Sequence, residues 1–397
     1  MRLFQKLSAR VVWKLVILWT IILSIFYSTL SVARHNRFQT GGFDLGLYDQ
    51  AVWQYSNFLP PYNTVKERFI LGDHLTLTLP LLAPLFWLWD DVRMLLVFQA
   101  VWVSLSTLAV YKLIVHRKFS PFTAISLSTI YSLFYGIQYG IFFDFHPVML
   151  GVAIIPWLCY FLETGRKDLF AASVILLLAT QENMGVALVG LGFIYIWQKP
   201  FRKTALIMII GGVAASLTAA KIIGVISPIG FQYTPQLTLH PILFIRQLFD
   251  APEKQTSWLY TMSSFSFLPL FSPGAMVAIV SDLAQYYTTG PEFARMWSPL
   301  MHHRATLAPF VLLGALDALS ILRKRRLSIE LIALLLLGSA LIQQYVFHYP
   351  LNKLSKAEFW RQESWMSDNR TMLETIPGDW AIPCVAHHAS GNTGTRQ

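Results

Sequence analysis

Apolar runs of about 20 residues recur along this chain between short polar stretches, and a helix of that length spans a bilayer core of about 30 Å. Uninterrupted runs at 15–33, 92–111, 119–135, 148–162, 205–226, 305–322 and 327–347 each predict a membrane-crossing helix. Two further stretches are broken, 169–197 by Gln181-Glu182-Asn183 and 259–287 by Ser272-Pro273-Gly274. Each predicts a hairpin of two short helices, since broken helices persist at membrane depth only where the freed backbone is buried in protein or lines a wet cavity. Glu182 is therefore expected to face a cavity. The run at 75–89 is shorter and contains Pro80 and Pro84, so it predicts an element lying at an interface, with Trp87 and Trp89 as anchors.

Basic residues give these helices a direction. Arg2, Lys6, Arg10 and Lys14 precede or open the first run, and further clusters are Lys112-Arg117-Lys118, Arg166-Lys167, Lys199-Arg202-Lys203 and Arg323 to Arg326. Short cytoplasmic loops are enriched in Lys and Arg, and keeping every cluster inside closes the parity at about eleven crossings. The N-terminus is then cytoplasmic and the C-terminus extracytoplasmic. The first run exceeds a secretory core of about 7–15 residues and has no small-residue cleavage site before Arg34, so it reads as an uncleaved span. The expected organisation is a multi-pass transmembrane domain over 1–347 in the cell membrane, with its first outer loop at 34–91, and a polar outer tail over 348–397.

Composition agrees. Hydrophobic residues make up 55% of the 397 residues and charged residues 13%, with mean hydropathy +0.49, whereas soluble domains carry roughly 25% charged residues. A water-soluble fold is excluded, and the fold class is an all-α integral membrane protein with membrane lipids as its surroundings. The net charge of +10 lies in the connections, where it reports topology, so no nucleic-acid partner is expected. Cys159, inside an apolar run, and Cys384, in the tail, are not expected to bridge.

On this topology nine of the ten histidines, all but His116, lie on or near the outer face, with most loop carboxylates. Ionisable groups at a membrane boundary mark substrate paths, relays or catalytic sites, so chemistry is expected there. Asp44 and Asp49 are five residues apart and do not share a helix face, which gives them separate tasks. Gly41, Gly42 and Gly46 around them predict a turn before a short amphipathic helix whose Leu47, Ala51 and Val52 face the membrane; Asp44 also suits an N-cap. Asp73-His74 suits either capping or a phosphate-bearing ligand. A short outer loop over 136–147 surrounds Asp144 with rings, and burial would raise its pKa unless a cation, a metal or His146 compensates; function and capping stand level. His302-His303-Arg304 offers donors for phosphate, or an anchor that snorkels. None of these has the spacing of a dedicated metal site, and no Walker loop, nucleophile elbow or dinucleotide fingerprint is present.

Phe43-Asp44-Leu45-Gly46-Leu47-Tyr48-Asp49-Gln50, Gly72-Asp73-His74, Phe143-Asp144-Phe145-His146-Pro147, Gln181-Glu182-Asn183 and His302-His303-Arg304, in this order, resemble the bacterial and archaeal membrane-protein family labelled domain of unknown function 2079. The resemblance covers most of residues 10 to 380. That family looks like a branch of the GT-C glycosyltransferases, which move a sugar from a polyprenyl-phosphate carrier to an acceptor on the extracytoplasmic side. The resemblance implies that Asp44 is the first-loop acid, that Asp144 is an acid of the second outer loop, and that Glu182 is the acid of a helix junction. A basic residue usually precedes that acid, and Gln181 stands there instead. Arg304 falls where such proteins place a basic residue toward the lipid phosphate. The chain also departs from the pattern after Pro383, where the tail reads as a truncated soluble portion.

The expectation is a GT-C-like transferase in which Asp44, Asp144 and Glu182 are catalytic, and Asp49, Asp73, His74, His146, His302, His303 and Arg304 bind a polyprenyl-phosphate sugar donor or its acceptor. A divalent ion between Asp44 and Asp144 is left open. The competing expectations are a lipid or sugar transporter or flippase, for which broken helix pairs also suit a substrate site, and a noncatalytic membrane assembly protein.

Overall fold

Twenty-eight residues, Ala9–Asn36, form the first helix, α1, in the computed structural model, which describes residues 8–375. Ser8 caps it by accepting from the Val11 N–H, and one face buries Val16, Leu23 and Tyr27. The opposite face exposes Leu15, Leu18, Ile21 and Ile25. A helix apolar on both faces is solvated by lipid, not water. Five helical stretches are long and apolar enough to cross a bilayer by length and composition: Ala9–Asn36, Arg93–His116, Lys199–Ile226, His302–Lys324 and Ile329–Val346.

After α1 the chain makes a π-helical turn at Gly42–Gly46 and then α2 (Leu47–Ser56). A two-residue hairpin follows, β1 (Tyr62–Asn63) antiparallel to β2 (Arg68–Phe69), then 3-10 turns at Ile70–Gly72 and Leu79–Leu82 and the short α3 (Ala83–Leu88). Leu47, Ala51 and Val52 do not face the membrane. They pack with Leu82, Phe86, Leu95 and Leu96 into a second small core, because α3 and the start of α4 (Arg93–His116) cover them. Among the apolar residues left outside are Phe43, Phe58, Leu81, Trp87 and Leu88, the last three in the segment that contains Pro80 and Pro84.

The main bundle contains α4, α5 (Pro121–Ser132), α6 (Tyr135–Phe143), α7 (Pro147–Glu163), α8 (Lys167–Thr180), α9 (Met184–Tyr195) and α10 (Arg202–Ile226). It continues with α11 (Pro241–Gln247), α12 (Pro252–Ser263), α13 (Pro273–Tyr287), α14 (Leu307–Lys324) and α15 (Ile329–Val346), followed by α16 (Ala357–Trp360) and α17 (Ser364–Thr375). The first interrupted stretch breaks as its sequence implies, with Gln181 extended between α8 and α9. In the second, Ser272 caps α13 with Pro273 at its first position, but the helix expected over 259–271 instead spans Pro252–Ser263 and gives way to a turn and the 3-10 segment Leu268–Phe271, because Ser266 and Phe267 take positive φ.

The outer loop expected over 136–147 is mostly helix. Gly136 and Gln138 read as polar loop, yet Gln138 is buried in α6, where its amide donates to the Leu133 carbonyl at 2.8 Å and to Gln344 at 2.5 Å while its oxygen accepts from Leu351 N at 3.1 Å. A satisfied amide can be buried at membrane depth, and only residues 144–146 remain as connection.

Polar clusters close both ends. At one end Arg117 pairs bidentately with Glu163 (2.6 Å to Oε1 and 3.1 Å to Oε2) and lies 3.5 Å from Asp317, Tyr195 donates to Glu163 at 2.7 Å, and Ser272 donates to Asp317 at 2.7 Å. This ties together α4, α7, α9, α13 and α14. At the other end lie the connections 37–92, 144–146, 181–183 and 288–306. Residues beyond α15 pack there too, with Tyr349 buried among Tyr135, Tyr139 and Tyr260. Cys159 is buried as a free thiol; Cys384 and the end of the tail, where the sequence was expected to depart from the family pattern, lie outside the described residues.

Candidate functional site

A cavity of about 810 Å³ opens at the second end, between the first long loop and the ends of α6 to α10 and α13. One polar wall comes from breaks between helices. The π turn at 42–46 presents Asp44, the α6–α7 junction presents His146, the α8–α9 junction presents Gln181, Glu182 and Asn183, and the 3-10 turn before α14 presents His302 and His303. Gly136 makes the last placement possible, since a Cβ there would stand 2.3 Å from the Arg304 carbonyl oxygen; only glycine lets α6 come this close to residues 302–306.

Asp44 Oδ1 lies 3.2 Å from His146 Nε2. From there the rings form a ladder: His146 stacks on His302 with centroids 3.5 Å apart, His302 meets His303 at 3.9 Å, and His303 stacks on Tyr286 at 4.4 Å. Asn183 donates to the Tyr286 hydroxyl at 2.9 Å. Among the described residues, the Nδ1 atoms of His146, His302 and His303 and Oδ1 of Asn183 are buried without a protein partner. Buried polar atoms find partners, so water or a bound ligand must supply them. Burial pushes the Asp44 carboxyl up, but the hydrogen bond and charge of His146, with Arg295 and Lys66 nearby, outweigh it and hold the carboxyl below its usual range.

On the other wall, His74 Nδ1 is 2.7 Å from Glu182 Oε1, Leu75 N donates to Glu182 Oε2 at 3.2 Å, and the His74 ring stacks on Tyr233 at 5.1 Å. Burial pulls the His74 pKa down, yet Glu182 and Asp73 overcome it and raise it above the ordinary imidazole value. Asp73 is paired with Lys66 at 2.6 Å. Arg295 also lines the cavity, exposed, its guanidinium making no hydrogen bond or ion pair among the described residues.

The structure therefore gathers Asp44, Asp73, His74, His146, Glu182, His302 and His303 around one cavity, and sets three expected residues apart. Asp144 is 2% exposed behind the cavity, where it accepts from Arg34 at 2.7 Å and from Gly41 N at 2.9 Å. Its burial raises the carboxyl to about 7, with Arg34 and the Gly41 N–H pulling the other way and Asp44 adding to the rise. Arg304 is fully buried beneath the ladder, donating to the carbonyls of Met296 and Ser298 and lying over Tyr286 and Tyr287. Asp49 is buried in α2 and does not line the cavity.

A divalent ion between Asp44 and Asp144 fits poorly, because the Arg34 guanidinium already occupies the cation position on Asp144. Among the described residues no group of three or more His, Cys, Asp or Glu is arranged to hold a metal. The sequence reading missed Lys66, Tyr233, Arg295 and Tyr286, which stand in loops or at a helix end without a motif; only their charge or aromaticity near the outer connections hinted at them.

Residues 34–382, which include every wall of this cavity, match the family model described as a predicted membrane protein, DUF2079. The chain belongs to that family. No curated protein and no solved structure matches it. The DUF2079 assignment makes it a membrane protein and leaves its activity to be argued from the cavity.

Proposed function

We propose that this DUF2079 protein is a membrane glycosyltransferase that moves a sugar from a polyprenyl-phosphate donor to an acceptor on the extracytoplasmic side. The observation that carries the reading is the Asp44–His146 pair, which faces a cavity that also holds two cations, Lys66 and Arg295, and a wall of buried, unpartnered hydrogen-bonding atoms. An ionised carboxylate oriented by an imidazole suits a base, cations suit a phosphate, and imidazole, amide and aromatic groups suit a sugar. In this reading the chain crosses the cell membrane about eleven times, the six shorter helical passes joining the five long ones, with the N-terminus inside and the cavity outside.

The acceptor hydroxyl gives its proton to Asp44 as its oxygen bonds to the sugar C1. The C1–O bond to the phosphate breaks, and the electron pair leaves with the polyprenyl phosphate, whose charge Arg295 holds, with Lys66 sharing its ammonium between the phosphate and Asp73. Arg304 acts at one remove by fixing the backbone of 296–298 beside Arg295. Asp144 fixes Gly41 and hence the turn that carries Asp44.

The test is transfer of radiolabelled sugar from a panel of polyprenyl-phosphate sugars to a cell-envelope extract by the purified full-length chain in nanodiscs, with Asp44→Asn alongside. Transfer that falls about 10²- to 10⁴-fold in the variant supports the reading. Transfer indifferent to Asp44 overturns it, and uptake of label into proteoliposomes without a covalent product assigns the cavity to transport.

A further inference from the structure

At the end of the bundle opposite the cavity, Lys112 stands one turn before the end of α4, between rings of α1 and α7. Its Nζ lies 5.4 Å from the ring centroid of Trp13, 5.4 Å from that of Trp157 and 6.0 Å from that of Tyr160. The rings are held in place, Trp13 against Tyr111 at 5.5 Å and Trp157 against Phe161 at 5.8 Å.

The neighbouring cations differ. Arg117 spends its donors on Glu163 and Asp317, and Arg323 donates to the Lys118 carbonyl at 2.8 Å over the Phe119 ring. Lys254, the other lysine caged by aromatic rings near a helix boundary, donates to Asp250, to the Gln247 carbonyl and to the Tyr287 carbonyl. Lys112 has its rings but, among the described residues, no hydrogen bond and no carboxylate; residues 1–7, which precede α1, contain no acid. An ammonium carries three donors, and ring faces satisfy its charge without accepting those hydrogens along a lone pair. At this depth the groups that supply both negative charge and acceptor oxygens are lipid phosphates, and basic pockets between transmembrane helices take such headgroups.

We propose that Lys112, framed by Trp13, Trp157 and Tyr160, is a binding site for the phosphate of an anionic glycerophospholipid. The ammonium meets the phosphate, and the two indoles lie along the glycerol and upper acyl region where tryptophan prefers to sit. The inference needs only that the chain is embedded in a membrane, and it stands or falls independently of the transferase reading.

Native mass spectrometry of the full-length protein, with phosphatidylglycerol and phosphatidylcholine supplied in equal amounts, tests it. The wild type should retain phosphatidylglycerol preferentially, Lys112→Met should lower that preference about five-fold, as expected for about 1 kcal/mol per basic residue at the membrane surface, and Lys112→Arg should restore it. Lys14→Met removes the same charge from an exposed neighbouring position and should leave the preference unchanged. An unchanged ratio in Lys112→Met overturns the proposal, and so does an equal fall in Lys14→Met, which would reduce the effect to diffuse charge. Displacement of the lipid by millimolar glycerol 3-phosphate would assign the site to a soluble phosphate and also overturn it. Should Lys112→Met fail to fold, Trp157→Leu, which keeps the charge and opens the frame, must lower the preference or the site is not built as described.

Discussion

Replacing Asp144 by alanine separates its structural task from the catalytic one expected of Asp44. The Asp144 side chain is almost fully buried and holds Arg34, itself only 16% exposed, at 2.7 Å, together with the Gly41 N–H at 2.9 Å; its backbone carbonyl accepts from Gln99 at 2.8 Å. Alanine leaves the Arg34 guanidinium with the Phe143 carbonyl and only the charge of Asp44, without its paired carboxylate, and removal of one partner from a buried ion pair costs about 3–5 kcal/mol. With an unfolding entropy of roughly 2.1 cal/mol/K per residue over 397 residues, that loss lowers Tm by about 4–6 °C. Tryptophan fluorescence during heating in detergent reads the change. Asp144→Asn keeps an acceptor for both donors and should lose much less, whereas Asp44→Asn, at the cavity surface, should melt within about 1 °C of wild type. An Asp144→Ala protein as stable as wild type would refute the assignment of Asp144 as the pin between α1, Gly41 and the α6–α7 junction. A fall in Asp44→Asn as large as that in Asp144→Ala would refute the separation of the two carboxylates.

Further outcomes follow from the same geometry. Arg295→Ala and Lys66→Ala should raise the KM for a polyprenyl-phosphate donor more than they lower kcat, measured as initial transfer rates; a pure kcat effect would remove them from phosphate binding. Arg304→Met should destabilise by about 1–3 kcal/mol for each carbonyl it orphans, at Met296 and Ser298, a loss read as earlier thermal unfolding. Glu182→Gln should carry a pH signature. The folded His74 pKa is raised, so its contribution is fully present below the unfolded value of about 6.5 and lost as pH rises through the folded one; the variant should be more destabilised relative to wild type at pH 6 than at pH 9. Equal differences at both pH values would argue that the His74–Glu182 contact holds no proton.

Periodicity and charge determined much of this protein by themselves. Runs long enough to cross a bilayer, basic clusters in their connections and two interrupted stretches gave an all-α membrane fold and located its helix breaks, because bilayer thickness and the need to satisfy every backbone group leave few alternatives. The motif strings also led to seven of the cavity's walls, since an ionisable residue at a membrane boundary is expensive unless it has a task. Tertiary structure alone decided which of those residues share a surface. Asp44 and Asp144 look alike in sequence, yet one faces the cavity and the other is spent on Arg34. Arg304 looks like a phosphate ligand, yet it holds a loop from below, while Arg295 stands free in the cavity with no motif to announce it. Gln138 reads as a loop residue and is buried, because Leu133 nearby and Gln344 and Leu351, distant in sequence, satisfy its amide. Hydropathy reports the solvent of a segment, whereas the role of a charge depends on which partner the fold brings within about 3 Å, and that distance is set by packing between segments more than a hundred residues apart.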